Sequence, residues 1–191
     1  MTSAEELQDQ GKKLYMQHDY EAAARIFQQA QEAYSAENKQ DMVAEMQTNT
    51  GLVHRALGEY QQALDIMKDA LNIFRDLNDE LRAAQVLGNM GGVYMSLNDK
   101  EQAYNCYRQA ADVFDQLGEK KLYGETMLAI ANMQVRDGKI MAGAATYEVG
   151  LEQLNELSTS QKVLKGLLGV RNRLLGGASG PVSSPDNEAD T

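Results

Sequence analysis

Two histidines, His18 and His54, and one cysteine, Cys106, are the only groups in this 191-residue chain suited to imidazole or thiol chemistry. His54 holds the position that Tyr94 occupies forty residues on, so a packed ring is expected there rather than a ligand or base. Cys106 stands in register with Ile26 and Ile66 and reads as a small core side chain. A single thiol makes neither an internal disulfide nor a cysteine zinc site. No HExxH, paired CxxC or GxSxG spacing occurs. Gly88-Asn89-Met90-Gly91-Gly92 is glycine-rich, yet it lies within a helical pattern and lacks a preceding strand and a P-loop lysine. It reads as helix-packing glycines, not a phosphate cradle. The paired carboxylates fall in turns or on polar faces. The expectation is therefore no enzyme, no cofactor and no metal.

Composition narrows the partners. With 18 basic against 28 acidic residues the net charge is −10, the wrong sign for a nucleic-acid binder. Hydrophobic residues at 43% and charged residues at 24% suit a folded domain. No apolar run approaches the ~18 residues of a membrane span, so no transmembrane segment is expected. Met1-Thr2-Ser3-Ala4-Glu5-Glu6 lacks the basic and apolar regions of a signal peptide, and the expected location is cytoplasmic.

An internal repeat organises the chain. Shifted by forty residues, the sequence falls on itself without a gap. Gly11, Gly51, Gly91 and Ala131 form a small column, as do Ala23, Ala63, Ala103 and Gly143, and Ala30, Ala70, Ala110 and Gly150. Phe27, Met67, Tyr107 and Tyr147 form a large column, as do Tyr34, Phe74, Phe114 and Leu154. Within a copy the spacing is helical: Tyr60, Ala63, Leu64, Met67, Ala70, Leu71, Phe74 and Leu77 step by three and four. Polar breaks such as His18-Asp19, Gly58-Glu59, Asn98-Asp99 and Gly138-Lys139 divide each copy into a helical hairpin. Ser3 with Glu6 has the spacing of a capping box. Small side chains let helices approach to ~8–10 Å, and Phe74 and Phe114 are placed to fill the gaps between hairpins. No hairpin buries its apolar face alone, so stability comes from stacking.

These columns resemble the tetratricopeptide (TPR) repeat over about residues 4–175. Gly51, His54, Gly58, Tyr60, Ala63, Met67 and Ala70 follow its pattern, as do Gly91, Tyr94, Asn98, Lys100, Ala103, Tyr107 and Ala110. The period of forty exceeds the usual 34 or so, and the inter-unit proline is absent. The extra residues are expected in the second helix of each pair. This long form resembles the Pins/LGN group and, more loosely, rapsyn and kinesin light chain; Leu87-Gly88-Asn89-Met90-Gly91 is close to the Leu-Gly-Asn-Leu-Gly run of the former. The expected fold is all-α, a right-handed α-solenoid of antiparallel hairpins at about 4–38, 41–78, 81–118 and 121–157. A capping helix is expected at 161–175 and a disordered tail at 176–191, where Ser184-Pro185 is a weak phosphorylation signal.

The resemblance implies a concave groove lined by the first helices. Carried onto this chain, the groove positions include Asn49 and Asn89, Leu52, Arg55 and Met95, Asn132 and Arg136, and Glu45, Gln85 and Glu125. Asparagine carries a donor and an acceptor, and so pairs with the main chain of an extended peptide. Arg55 and Arg136 suit carboxylates, while Leu52 and Met95 suit an apolar side chain. Gln85 and Asn89 stand where a chaperone-binding carboxylate clamp carries cations, which makes a C-terminal chaperone tail a poor ligand. The expected function is a protein-binding adaptor or scaffold that takes a partner segment in the groove. The structural alternative is self-association through 161–175, where Lys162, Lys165, Arg171 and Arg173 have no acidic neighbour.

Overall fold

The structure is a computed structural model and describes residues 2–176. Among these residues there are nine helices and no strand: α1 (Ala4–Met16), α2 (Tyr20–Ala36), α3 (Gln40–Leu57), α4 (Tyr60–Asp76), α5 (Glu80–Ser96), α6 (Lys100–Leu117), α7 (Lys120–Arg136), α8 (Ile140–Glu152) and α9 (Thr159–Gly176). Helices α1 to α8 form one compact unit that ends at Leu154, and α9 belongs to a second that begins at Asn155. In the first unit each helix packs on its chain neighbours, and α3 also touches α5. This is a helical-hairpin repeat solenoid. Residues 177–191, including Ser184-Pro185 and nearly all of the expected tail, lie outside the described residues.

The backbone repeats at half the sequence period. His18, Asn38, Gly58, Asn78, Asn98, Gly118 and Gly138 all have positive φ, between 55° and 81°, and they fall twenty residues apart. After each of them the next N–H donates to the carbonyl five residues back, at 2.8–3.0 Å. That is the bond of a Schellman motif, in which a left-handed residue ends the helix and satisfies its last carbonyls. Glycine enters this region without a Cβ penalty, and asparagine and histidine tolerate it better than most. Asp19, Asp79 and Asp99 cap the following helices, each accepting from the backbone N–H three residues on at 2.9–3.2 Å. Ser3 and Glu6 form the expected capping box. Helices α3 and α4 have 18 and 17 residues, and α5 and α6 have 17 and 18. Contrary to the expectation from the sequence, the long period is shared by both helices of a pair rather than carried by the second.

Gly118, at φ 72°, gives a direct check on this punctuation. Gly118→Val is expected to cost about 1–2 kcal/mol, because a branched Cβ opposes the left-handed region. Asn98→Gly should leave stability nearly unchanged. Urea midpoints of the two variants test the point; equal midpoints would contradict it.

The small and large columns interlock within each hairpin. A Cβ built on Gly11 would lie 2.6 Å from the Phe27 ring, on Gly51 2.7 Å from Met67, and on Gly91 2.9 Å from Tyr107. Ala23, Ala63 and Ala103 are fully buried opposite them, and Phe27, Phe74 and Phe114 are buried as well. Gly92 is close to the Arg55 side chain, whereas Gly88 has open space above it. Of the glycines expected to serve packing, Gly88 therefore does not. The α7–α8 pair uses a different contact: a Cβ on Gly124 would meet the Gly150 carbonyl at 2.8 Å, and one on Gly150 the Gly124 carbonyl at 2.9 Å. Glycine against glycine replaces small against large where the fourth repeat departs from the pattern. In α9, Leu168 is buried and Leu164 half-buried, but Leu167 is exposed together with Val163. A three-residue step turns Leu167 about 60° from Leu164 around the helix.

Candidate functional site

Alternate helices of the first unit enclose a row of pockets. On α3, Glu45, Thr48, Asn49 and Leu52 step by three and four along one face. On α5, Arg82, Gln85, Val86 and Asn89 do the same, and the two faces enclose a pocket of about 270 Å³ with Phe74 of α4 in its lining. A neighbouring pocket of about 330 Å³ is lined by Gln85, Gly88 and Asn89, by Leu122, Glu125 and Thr126 of α7, and by Tyr107 and Phe114 of α6. The two pockets share Gln85 and Asn89. They are also equivalent in register: Glu45, Thr48, Asn49, Phe74 and Arg82 become Gln85, Gly88, Asn89, Phe114 and Leu122 forty residues on. A third pocket, of about 510 Å³, contains Glu5, Gln8, Tyr34 and Met42, the same positions one repeat earlier. One design recurs three times, with an aromatic ring in each lining.

Six residues expected in the groove, Glu45, Asn49, Leu52, Gln85, Asn89 and Glu125, line these pockets. The other four stand apart. The Arg55 guanidinium lies over Gly92, where a Cβ would be 2.7 Å from Nη1. Burial raises the Tyr107 hydroxyl pKa above its ordinary value, and nearby Arg55 offsets part of that rise. Met95 is half-buried near the end of α5 and lines none of the three pockets. The Tyr147 hydroxyl donates to Asn132 Oδ1, so that amide oxygen already has a protein donor. Arg136 is exposed; burial raises the pKa of Tyr147, and Arg136 acts against it.

Several polar groups of the pockets are committed to protein partners, while Asn49 carries a buried donor that is not. Gln8 is buried; its Nε2 donates to Glu45 Oε1 at 2.6 Å, and its Oε1 accepts from the Tyr34 hydroxyl at 2.7 Å. Lys12 Nζ lies 3.5 Å from the same Glu45 oxygen. Arg82 donates from Nε to Asp79 Oδ2 at 2.6 Å and from both Nη atoms to Asp41 Oδ2 at 3.3 Å. Its guanidinium stands 4.8 Å from the centre of the Phe74 ring, a cation–π contact. Asn49 differs from these groups. Its Nδ2 is buried and has no hydrogen-bond partner. An unmet buried amide is costly, by roughly 1–3 kcal/mol, and a ligand carbonyl would relieve it.

The sequence reading did not select Arg82, although a signal existed. Arg82 lies three residues before Gln85, in register with the apolar Met42 and Leu122, so a lone cation in an apolar column marks it. Its partner Asp79 gives a pH prediction. Burial would raise the Asp79 pKa, but hydrogen bonds from the Arg82 backbone and guanidinium outweigh it and hold the carboxyl below its ordinary 3.8. The stabilisation is thus complete above that ordinary value and is lost as pH falls through the lower, folded value. Asp79→Asn should flatten the acid limb of stability against pH, measured by denaturation between neutral and strongly acid buffers. An unchanged acid limb would contradict the pairing.

Stacked hairpins with pockets between alternate helices define a helical-repeat protein, a fold typical of protein-interaction adaptors. Residues 1–168 match the profile of a family described as soluble NSF attachment protein, SNAP. The chain belongs to that family. The match supports the TPR-like helical-repeat resemblance but not its finer assignment to the Pins/LGN or rapsyn type. No curated protein matches the chain in sequence. Among solved structures it is similar to BtubC (BKLC) from P. vanneervenii, with a TM-score of 0.73 at 13% identity over 98% of this chain and 85% of that one. At that identity the likeness is one of fold. Among the described residues no helix is long and apolar enough to cross a membrane, and no cluster of metal-ligating side chains occurs.

Proposed function

We propose that this chain is a non-enzymatic adaptor that captures a segment of a partner protein in the groove formed by α3, α5 and α7. The observation that carries the reading is the unpartnered Asn49 amide within a pocket whose design repeats along the solenoid. Asn49 and Asn89 hold the segment's main chain, the half-buried Leu52 contacts its apolar side chains, and Gln85 bridges the two pockets. Arg82 has a positioning role, since its charge is committed to Asp79 and Asp41. Arg55, over Gly92, remains available to an acidic side chain at the groove's edge. The family name describes attachment to NSF, which makes NSF the first named bait to try.

The test is capture by wild type and by Asn49→Ala/Asn89→Ala/Arg55→Glu, from lysate and with NSF alone, with circular dichroism on both proteins. Groove capture predicts that a partner held by wild type is lost from the variant while helicity is kept. Equal capture by both proteins would sink it.

A further inference from the structure

A second exposed surface pair lies away from the groove. A furrow of about 450 Å³ runs between α4, α5 and α6 and shares no lining residue with the groove pockets. Its lining combines the buried Ala83, Ala84 and Leu87 and the half-buried Val113 with the exposed carboxylates of Glu80 and Asp112 and the exposed Arg75. Neither carboxylate has an ion-pair partner among the described residues. Helix α9 has the opposite character. In a chain of net charge −10 it holds four cations and no acid. Val163 and Leu167, one turn apart, are 59% and 63% exposed, and the exposed Lys162 and Lys165 flank them. A basic amphipathic helix of this kind seeks an acidic surface with apolar ground to cover.

We infer that α9 of one copy docks in the α4–α5–α6 furrow of a second copy, with Val163 and Leu167 on the apolar floor and Lys162 and Lys165 against Glu80 and Asp112. A second copy is favoured over an anionic membrane because the acidic body of the chain is repelled by such a surface, whereas another body attracts the helix. The contact joins two different surfaces; made reciprocally between two copies it closes a two-fold dimer, and made head to tail it builds rings or open chains. It does not depend on the groove reading.

The test is sedimentation velocity on the full chain, over a wide concentration range at low and high salt. Wild type should associate, and more weakly at high salt, because exposed charges are screened. Lys162→Glu/Lys165→Glu alone and Glu80→Lys/Asp112→Lys alone should each associate at least tenfold more weakly. Mixing the two should restore association, since the reversed helix then meets the reversed furrow. Circular dichroism on each variant shows that the fold is intact. A wild type that stays monomeric throughout, or variants that associate as wild type does, would overturn the inference. Monomeric wild type that co-sediments with phosphatidylserine vesicles through Lys162 and Lys165 would assign the helix to lipid instead.

Discussion

Phe74→Ala is expected to cost about 3–5 kcal/mol of folding stability, the range for deleting a large aromatic side chain from a packed core. Phe74 is 2% exposed and belongs to the apolar cluster that also contains Met67 and Leu71 of its own helix and Val86 and Leu87 of α5. It also lies under the Arg82 guanidinium, so its loss removes a cation–π contact and frees the residue that ties Asp41 to Asp79. In a repeat protein, stability is close to a sum of unit and neighbour-interface terms. The cavity therefore weakens one interface in the middle of the stack. Chemical denaturation should show both a lower midpoint and a broader, less cooperative transition. A midpoint shift below about 1 kcal/mol would mean that the stack collapses around the gap, and that Phe74 is not a keystone of the groove.

The second large effect combines two opposite signs. Asn49→Leu removes a buried amide nitrogen that has no partner and replaces it with an apolar group of similar size. The free protein should gain about 1 kcal/mol or more, because the cost of the unmet donor disappears. The bound state should lose a hydrogen bond to the partner's main chain and fall in affinity by roughly tenfold or more, as a buried donor–acceptor pair of about 1.4 kcal/mol implies. A gain in stability alongside a loss in binding is the signature of a residue kept for function rather than for folding. Denaturation and titration with the captured partner are the two measurements. A variant both less stable and equally good at binding would return Asn49 to the core.

Much of this architecture was readable before any coordinates, because glycine and alanine columns facing large columns can only be served by close helix packing. Register identified the columns, but that Gly51 faces Met67 and Gly91 faces Tyr107 is visible only in the structure. The twenty-residue backbone beat was harder to see, since histidine, asparagine and glycine share the same left-handed position and only the φ angle reveals their equivalence. Within the candidate site, Asn49 and Asn89, which the repeat resemblance put in the groove, line pockets between alternate helices, whereas Asn132 accepts from a tyrosine of the next helix. Its column gave no hint of that contact, because the fourth repeat brings α7 and α8 together through Gly124 and Gly150. Arg82 escaped notice for a related reason. Its role comes from Asp41, which is 41 residues away in sequence, and from a ring on the intervening helix.

The most direct measurement is site-specific photo-crosslinking from Gln85, which with Asn89 is common to both groove pockets, compared with an equivalent probe at the exposed Arg25 on α2. Groove capture predicts that the partner retained by wild type crosslinks from position 85 and not from position 25. It also predicts that the position-85 crosslink disappears when Asn49 and Asn89 are both alanine. A partner that crosslinks only from position 25, or from position 85 regardless of the two asparagines, would contradict recognition in the groove.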